Sequence, residues 1–353
     1  MGSNILITGA AGYLGGSLVA DFLASNSTQF RKENITAAVR SEEQAKTLSK
    51  LGINVLQLDL TDEKVVVESL LLSIVIHCAS SLDERLALHL ITALGKQREV
   101  RGEETYFIHT SGLSAFYEST GWPPGETKDT GPVFDLEKQL ADSFPIRKTD
   151  VAVIEHAKAR GVTSFIVIPP TVYGKGTGEW NKLSVVLPVC VQASISNKVV
   201  YKFPENIKVS GVHISDLTAL YGSIIEKILQ KETIPSGPEG YYFALAHDLI
   251  WWEVLDHLAA ALKARNLVVD SKTQIWPSDE AAAKSLGVPV QFVQLLWNSG
   301  ENIISENTRR LGWKPAWSKD RFLQNIDDEI EAVLDLGKAK SSLIDSLFES
   351  AKG

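Results

Sequence analysis

Residues 5–16 read ILITGAAGYLGG, and few folds accommodate such a stretch. Ile5, Leu6 and Ile7 make a short apolar run that ends in Thr8. Gly9, Gly12 and Gly15 follow at the spacing G-x-x-G-x-x-G, and Leu18, Val19, Phe22 and Leu23 continue at helical spacing. The order is strand, glycine turn, helix. Gly9 lets the chain turn tightly out of the strand, Gly12 removes a side chain where a pyrophosphate approaches backbone, and Gly15 lets the helix sit close on the sheet. The first helical turn, with Tyr13 and Leu14, offers N–H groups and a partial positive charge to phosphates. The segment predicts the first unit of a dinucleotide-binding domain.

The alternation then continues. Apolar runs over 35–39, 53–58, 74–76, 106–108 and 165–168 predict five more strands. Helices are expected over 41–51, stopped by Gly52, and over 61–72, opened by Thr61 and carrying Val65, Val66, Leu70 and Leu71. Two more are expected over 84–100, with Leu86, Leu90 and Leu94 on one face, and over 148–160, closed by Gly161. Residues 121–132, rich in Gly, Pro and Thr, read as a long loop. Six strand–helix alternations imply an α/β fold: a doubly wound parallel sheet of Rossmann type with a smaller C-terminal α/β substrate region. The boundary is expected at residue 173, giving regions 1–173 and 174–353. The second is interleaved with the sheet, since 209–214 reads as another strand. Tryptophans 180, 251, 252, 276, 297, 313 and 317 are expected as core and lid. Ligands bind such sheets at the carboxyl ends of the strands, so the strand tips are where chemistry is sought.

With 353 residues the chain has ample material for a core. A net charge of -8 argues against a nucleic-acid surface. No apolar run approaches the ~18 residues of a membrane span. The two cysteines, Cys78 and Cys190, lie in apolar sequence and read as reduced core thiols. The chain opens directly into a strand, and a cytoplasmic protein is expected. The seven histidines show no metal-ligand spacing, so no metal is expected.

The tip of the second strand selects the nucleotide. An acid there holds the adenosine ribose of NAD, whereas a basic residue suits the 2′-phosphate of NADP. Here the strand ends in Val39-Arg40, with Ser41 beside it and no acid. Arginine is always charged and matches phosphate oxygens in a bidentate manner. NADP(H) is therefore expected over NAD(H). Asp59, followed by Leu60 at the third strand tip, is placed to accept from an adenine amino group.

Together these residues resemble the extended short-chain dehydrogenase/reductase family, the NAD-dependent epimerase/dehydratase type. Residues 8–15 look like its TGxxGxxG motif, and His77-Cys78-Ala79-Ser80 looks like its HxAA strand end. Residues 169–174 are similar to RPxxxYG with proline in place of arginine, 212–217 to VHVxDL, and 311–315 to LGWxP. Dihydroflavonol-reductase-like members share the double proline and the basic second-strand tip. The resemblance covers almost the whole chain and implies that Ala79, Ser80, Pro170 and Val172 also line the cofactor. A homodimer follows from the resemblance alone.

The family's catalytic unit is a Ser or Thr after the fifth strand and a Tyr-x-x-x-Lys on the next helix. No tyrosine lies between Tyr117 and Tyr173, so that dyad is missing. If Lys148 takes the lysine place, Phe144 takes the tyrosine place and has no proton to give. If Asp150 takes the lysine place, its charge would raise a neighbouring acid's pKa. Arg147 and Asp150, three apart, are expected to form a structural ion pair, and Arg147 or Lys148 remains a candidate to hold the nicotinamide ribose. Thr110, Ser111 and Ser114 are candidates for the family serine, with Ser111 preferred and Gly112 standing at the third position of the usual TSS. Tyr117 is a candidate replacement acid. His77 and His109 are expected to be held by backbone at the strand ends. The catalytic candidates are thus Ser111, Tyr117 and Lys148. Three readings follow: an NADP(H)-dependent oxidoreductase acting on a small organic carbonyl or alcohol; a non-redox isomerase or lyase on the same scaffold; and an inactive NADP(H)-binding sensor.

Overall fold

The computed structural model describes residues 4–25, 30–69, 72–338 and 343–350. The first glycine unit forms as expected, with strand β1 (Ile5–Thr8) leading into helix α1 (Tyr13–Ala24). Strand β2 (Ile35–Val39), helix α2 (Glu42–Ser49), strand β3 (Asn54–Gln57) and helix α3 (Glu63–Ser69) follow. Leu70 and Leu71 lie outside the described residues. Strand β4 (Ile74–His77), helix α4 (Glu84–Arg101) and strand β5 (Tyr106–Thr110) complete the first half.

The stretch read as loop carries a two-residue strand, β6 (Thr127–Lys128), and leads to helix α5 (Val133–Gln139). Helix α6 runs Pro145–Arg160, three residues longer at its start than expected. Pro145 stands in the first turn, where its fixed φ fits the helix and its missing N–H costs nothing. Gly161 closes the helix at φ +67. Strand β7 (Thr163–Ile168) follows, then strand β8 (Thr171–Tyr173).

Beyond residue 173 the described elements are α7 (Val186–Asn197), β9 (Tyr201–Lys202), β10 (Lys208–His213), α8 (Ile214–Leu229), β11 (Tyr241–Phe243), β12 (His247–Ile250) and α9 (Trp251–Ala264). They continue with β13 (Gln274–Ile275), α10 (Asp279–Leu286), α11 (Val293–Trp297), β14 (Ile303–Ile304), α12 (Asn307–Arg310), α13 (Lys319–Leu336) and α14 (Leu343–Ser350).

The main sheet is parallel, with seven strands in the order β11-β7-β5-β4-β1-β2-β3. This is a doubly wound α/β fold of Rossmann type. Ile7 lies between Ala37 of β2 and Ile76 of β4, and all four β1 residues are buried, as a strand covered on both faces requires. The sequence reading found six of the strands. The seventh, β11, comes from the C-terminal half as the buried run Tyr241-Tyr242-Phe243. On one face α1 packs Leu18, Val19 and Phe22 with Leu217, Leu220 and Tyr221 of α8. On the other, α4 contributes Leu90, Ile91 and Leu94 beside Val153, Ile154 and Ala157 of α6. Gly95 lets these two helices touch, since a Cβ there would lie 2.9 Å from the Arg160 Cβ.

A second, three-stranded sheet, β12-β10-β8, sits in the C-terminal region. Its core gathers Trp251, Trp297, Leu255 and Phe322. Trp313 instead joins the main sheet's core, and its indole N–H donates to the Asp216 carbonyl at 2.9 Å. The Asp216 carboxylate accepts from the amides of Ala316 and Trp317, both at 2.9 Å. Two of the motif segments, 212–217 and 311–315, are thereby tied together.

Candidate functional site

The glycine turn is fixed by backbone contacts. Gly9 adopts φ +65, and a Cβ on it would lie 2.6 Å from the Cys78 carbonyl oxygen at the tip of β4. A Cβ on Gly15 would lie 2.3 Å from the Gly9 carbonyl oxygen, and one on Gly12 would lie 2.9 Å from the same atom. The three glycines therefore pack against each other and against the neighbouring strand tip. The Gly12 amide donates to the Gly9 carbonyl at 2.7 Å. The next amides, of Tyr13, Leu14 and Gly15, open α1 and have no helical carbonyl ahead of them.

All five residues, Gly9, Gly12, Tyr13, Leu14 and Gly15, line one cleft of about 510 Å³. That size falls in the range of small-molecule sites, roughly 300–1,000 Å³. The cleft runs past Arg40, Asp59 and Leu60 to Ala79 and Ser80, and reaches Thr110 and Ser111. A glycine cradle whose Cβ positions are closed by backbone, facing first-turn amides, fits a pyrophosphate. The Arg40 side chain lies at the tip of β2 and makes no ion pair among the described residues.

Asp59 accepts from the Thr61 amide at 2.9 Å and the Thr61 hydroxyl at 2.7 Å on one oxygen. These bonds hold its carboxyl below the usual range, so it stays an acceptor. The Ser80 hydroxyl accepts from the Leu82 and Asp83 amides, both at 3.1 Å. Ser41 stands off the cleft wall as the N-cap of α2, accepting from the Gln44 amide while Gln44 reaches back to the Arg40 and Ser41 amides. Pro170 and Val172 also lie off that wall: Pro170 is buried, and Val172 pairs with β10.

Sequence reasoning missed other cleft residues. Gln44, Asp83, Leu86 and Asn181 line it, and α14 lays Leu343 and Ser346 along it from the far end of the chain. Cys78 also reaches the cleft, 3.2 Å from the Thr110 hydroxyl, and burial pushes its thiol up to about 12. Tyr13 donates its hydroxyl to the Gly174 carbonyl at 2.6 Å, and the Gly174 amide in turn donates to Glu329 of α13. Glu329 is buried, which raises its carboxyl to about 7.

At the inner end of the cleft, Ser111 donates to Asp150 Oδ2 at 2.5 Å. The other Asp150 oxygen stands 3.3 Å from His109 Nε2, with both side chains fully buried. Ile146, one helical turn before Asp150, faces Gly112, and its Cδ1 would lie 3.3 Å from a Cβ there. Lys148 lies elsewhere: its amine is 3.4 Å from Glu84 and more than half exposed. Tyr117 caps a short turn off the cleft wall, its hydroxyl pushed up by burial and by the Glu301 charge. Thr110 bonds the Tyr221 hydroxyl at 2.7 Å.

Two expectations need correction. Arg147 and Asp150 do not pair. Arg147 donates to the Ala115 carbonyl at 2.6 Å, the Thr120 carbonyl and hydroxyl at 2.9 Å, and the Ser143 hydroxyl at 2.9 Å. A guanidinium with five donors is satisfied better by these loop acceptors than by one carboxylate. His77 and His109 are not held as expected by backbone alone. His77 Nδ1 bonds the Thr8 hydroxyl at 2.9 Å, and His109 faces Asp150. Burial, and then His109, lowers the His77 pKa to about 3.

Residues 1–95 match the model of the NmrA-like family. A comparison with curated protein sequences gives no match. Three similar solved structures span nearly the whole chain. UDP-glucose 4-epimerase from Thermotoga maritima, with UDP-glucose, is 14% identical, covers 94% of this chain and 99% of its own, and gives a TM-score of 0.61. Vestitone reductase from alfalfa (Medicago sativa) is 15% identical over 95% and 99%, with a TM-score of 0.60. The Bordetella bronchiseptica enzyme WbmH in complex with NAD+ is 13% identical over 95% and 100%, with a TM-score of 0.62. These likenesses show that the chain shares the overall Rossmann-type α/β fold of those proteins, with the glycine turn and strand tips of its main sheet.

Proposed function

We propose that this protein is an NADP(H)-dependent oxidoreductase acting on a small organic carbonyl or alcohol. The observation that carries the reading is that the glycine turn, Arg40 and the Ser111 hydroxyl line the same cleft. The α1 amides would take the pyrophosphate, Arg40 the 2′-phosphate, Asp59 and Leu60 the adenine, and Ala79 and Ser80 the inner ribose. The bound nucleotide supplies the hydride chemistry, and the protein's part is to orient it and manage a proton. Ser111 is the proton-handling group in this reading. Tyr117 and Lys148 are assigned no proton transfer, because the first does not line the cleft and the second is paired at the surface.

A second reading draws on Ile146. In the resemblance, a tyrosine stands four residues before the lysine, and counting back from Asp150 puts Ile146 there. That substitution supports an NADP(H)-binding sensor without turnover. Titration of the purified protein with NADPH and NADH, followed by aldehydes and ketones added to the NADPH complex, separates the two. NADPH-selective binding with oxidation by a carbonyl compound is the expected result. Selective binding with no oxidation leaves the sensor, and no binding of either nucleotide overturns both.

A further inference from the structure

The fold buries two interacting carboxyl groups, one of them bonded to Ser111. Glu137 on α5 and Asp150 on α6 are both fully buried. Each has one oxygen satisfied: Tyr241 donates to Glu137 Oε2 at 2.5 Å, and Ser111 donates to Asp150 Oδ2 at 2.5 Å. The other two oxygens, Glu137 Oε1 and Asp150 Oδ1, are buried and have no donor. Leaving two such acceptors unpaired costs more than an ordinary lost hydrogen bond, and the Asp150 charge, acting on a buried Glu137, disfavours the ionised form of Glu137. One proton placed between them removes both penalties.

The surrounding groups supply no better remedy. Arg147, also on α6, gives its donors to the loop carbonyls and acts on Glu137 only as a nearby charge. His109 on β5 stands with Nε2 3.3 Å from Asp150 Oδ1 but makes no hydrogen bond to it, and its ring stacks on His77 of β4. Tyr241 on β11 already donates to Glu137, and Asp135 adds only a distant negative charge to Tyr241. Burial first, then Asp150, raises the Glu137 carboxyl well above the usual range.

We propose that buried Glu137 keeps its proton near neutral pH and shares it with the unpaired oxygen of Asp150, and that Ser111 carries it to the cleft. This rests on the oxidoreductase reading for its use, but the stored proton itself does not. In the resting arrangement Ser111 donates to Asp150. When Ser111 turns its hydrogen toward the cleft, Asp150 takes the shared proton on Oδ1 and rotates its carboxyl, so that the protonated oxygen faces Ser111 and becomes the donor to it. A bound NADPH would supply a hydride to a substrate carbonyl carbon, with the electron pair of the C=O π bond moving to oxygen. That oxygen takes the Ser111 proton, Ser111 takes the proton of Asp150, and the carboxyl pair is left ionised. After the alcohol leaves, the pair regains its proton from water entering at Ser111. The balance is carbonyl, NADPH and one proton to alcohol and NADP⁺. Ser111 would touch substrate and is the catalytic residue. Asp150 and Glu137 act through it.

Infrared difference spectroscopy on the purified full chain at neutral pH, without nucleotide, tests the stored proton. Protonated carboxyls absorb apart from carboxylates and shift in D₂O. Beside the signals of Glu329 and Glu301, whose carboxyls are raised to about 7 and which Glu329→Gln and Glu301→Gln identify, the wild type should show a further protonated-carboxyl band that disappears in Glu137→Gln and equally in Asp150→Asn, with no further loss in the double variant. These amides are nearly isosteric and can donate the missing hydrogen bond. Thermal unfolding identifies a variant that fails to fold, and the wild-type band, followed through a pH titration, then serves alone. Absence of that band from the wild type, or its retention in either folded variant, overturns the proposal whether or not NADPH binds. Conversely, failure to bind NADPH overturns the functional reading without touching the infrared result. With NADPH and an accepted aldehyde or ketone, Asp150→Asn should lower kcat about 100-fold, the lower end of proton-transfer contributions. It should leave KM for NADPH unchanged and remove the alkaline limb of the kcat pH profile. An unchanged kcat or an unchanged pH profile overturns the delivery step.

Discussion

Replacing Arg40 with alanine tests the nucleotide preference most directly. The guanidinium stands exposed at the tip of β2 on the cleft wall, and no carboxylate among the described residues competes for it. A hydrogen-bonded charge pair of this kind is worth about 1.5–3 kcal/mol. Exposure and salt pull the value toward the lower end. Local charge pulls it back up, because Glu42 and Glu43 open α2 right beside Arg40 and would repel a phosphate once the arginine is gone. About 2 kcal/mol remains, which weakens NADPH binding about 30-fold. NADH has no 2′-phosphate and should lose less than about 2-fold. Fluorescence titration of wild type and Arg40→Ala with both nucleotides, at low and at physiological salt, reads these numbers. The NADPH loss should shrink as salt rises, because the Debye length falls from about 30 Å at 0.01 M to about 8 Å at physiological ionic strength. Equal losses for the two nucleotides, or no loss for NADPH, would refute the assignment of Arg40 to the 2′-phosphate.

Three further perturbations follow from the same geometry. Gly15→Ala places a Cβ 2.3 Å from the Gly9 carbonyl oxygen, so backbone must move; urea denaturation should show a loss of about 1–3 kcal/mol, and NADPH binding should fall with it. Arg147→Lys cannot reproduce the fork that holds the Ala115 and Thr120 carbonyls; a cost of about 2–3 kcal/mol is expected, with a change in Trp122 fluorescence, since the guanidinium lies 5.5 Å over that ring. Glu329 has its folded-state carboxyl raised to about 7 from an unfolded value near 4.5. Its contribution is complete below pH ~4.5 and is lost as pH rises through 7, about 3 kcal/mol at most. Glu329→Gln should flatten that part of the stability profile measured by urea unfolding, and an unchanged slope between those pH values would be the contrary result.

The elements legible from sequence were those encoded by local pattern. The β1–α1 unit, the strand tips and the helix stop at Gly161 follow from spacing and glycine φ within a few residues. Elements set by distant partners were not. Strand β11 is three aromatic residues whose strand character comes from pairing with β7 far back in the chain. Leu343 and Ser346 reach the cleft only because the C-terminal region folds back across it. The short β6 is a strand only because β14 lies beside it. Burial without pairing is equally invisible: nothing local to Glu137 announces that Tyr241, 104 residues away, will donate to it.

The catalytic end of the cleft shows why a small register question can decide a functional reading. Lys148 and Asp150 are two residues apart on α6, which at ~100° per residue turns their side chains about 200° from one another. A helix packed by one face against the sheet can therefore offer only one of them to Ser111. Apolar Ile146, Val153, Ile154 and Ala157 fix which face is inward, and Asp150 shares it. Lys148 falls outward, where Glu84 of the neighbouring helix meets it. A cation in the inward place would have lowered a neighbouring acid's pKa, whereas a carboxyl there raises it. The inward carboxyl is compatible with proton transfer only if it arrives carrying a proton. The second buried carboxyl, Glu137, satisfies that condition: burial and the Asp150 charge favour its protonated form, Arg147 opposes them only in part, and its proton is then available to Asp150.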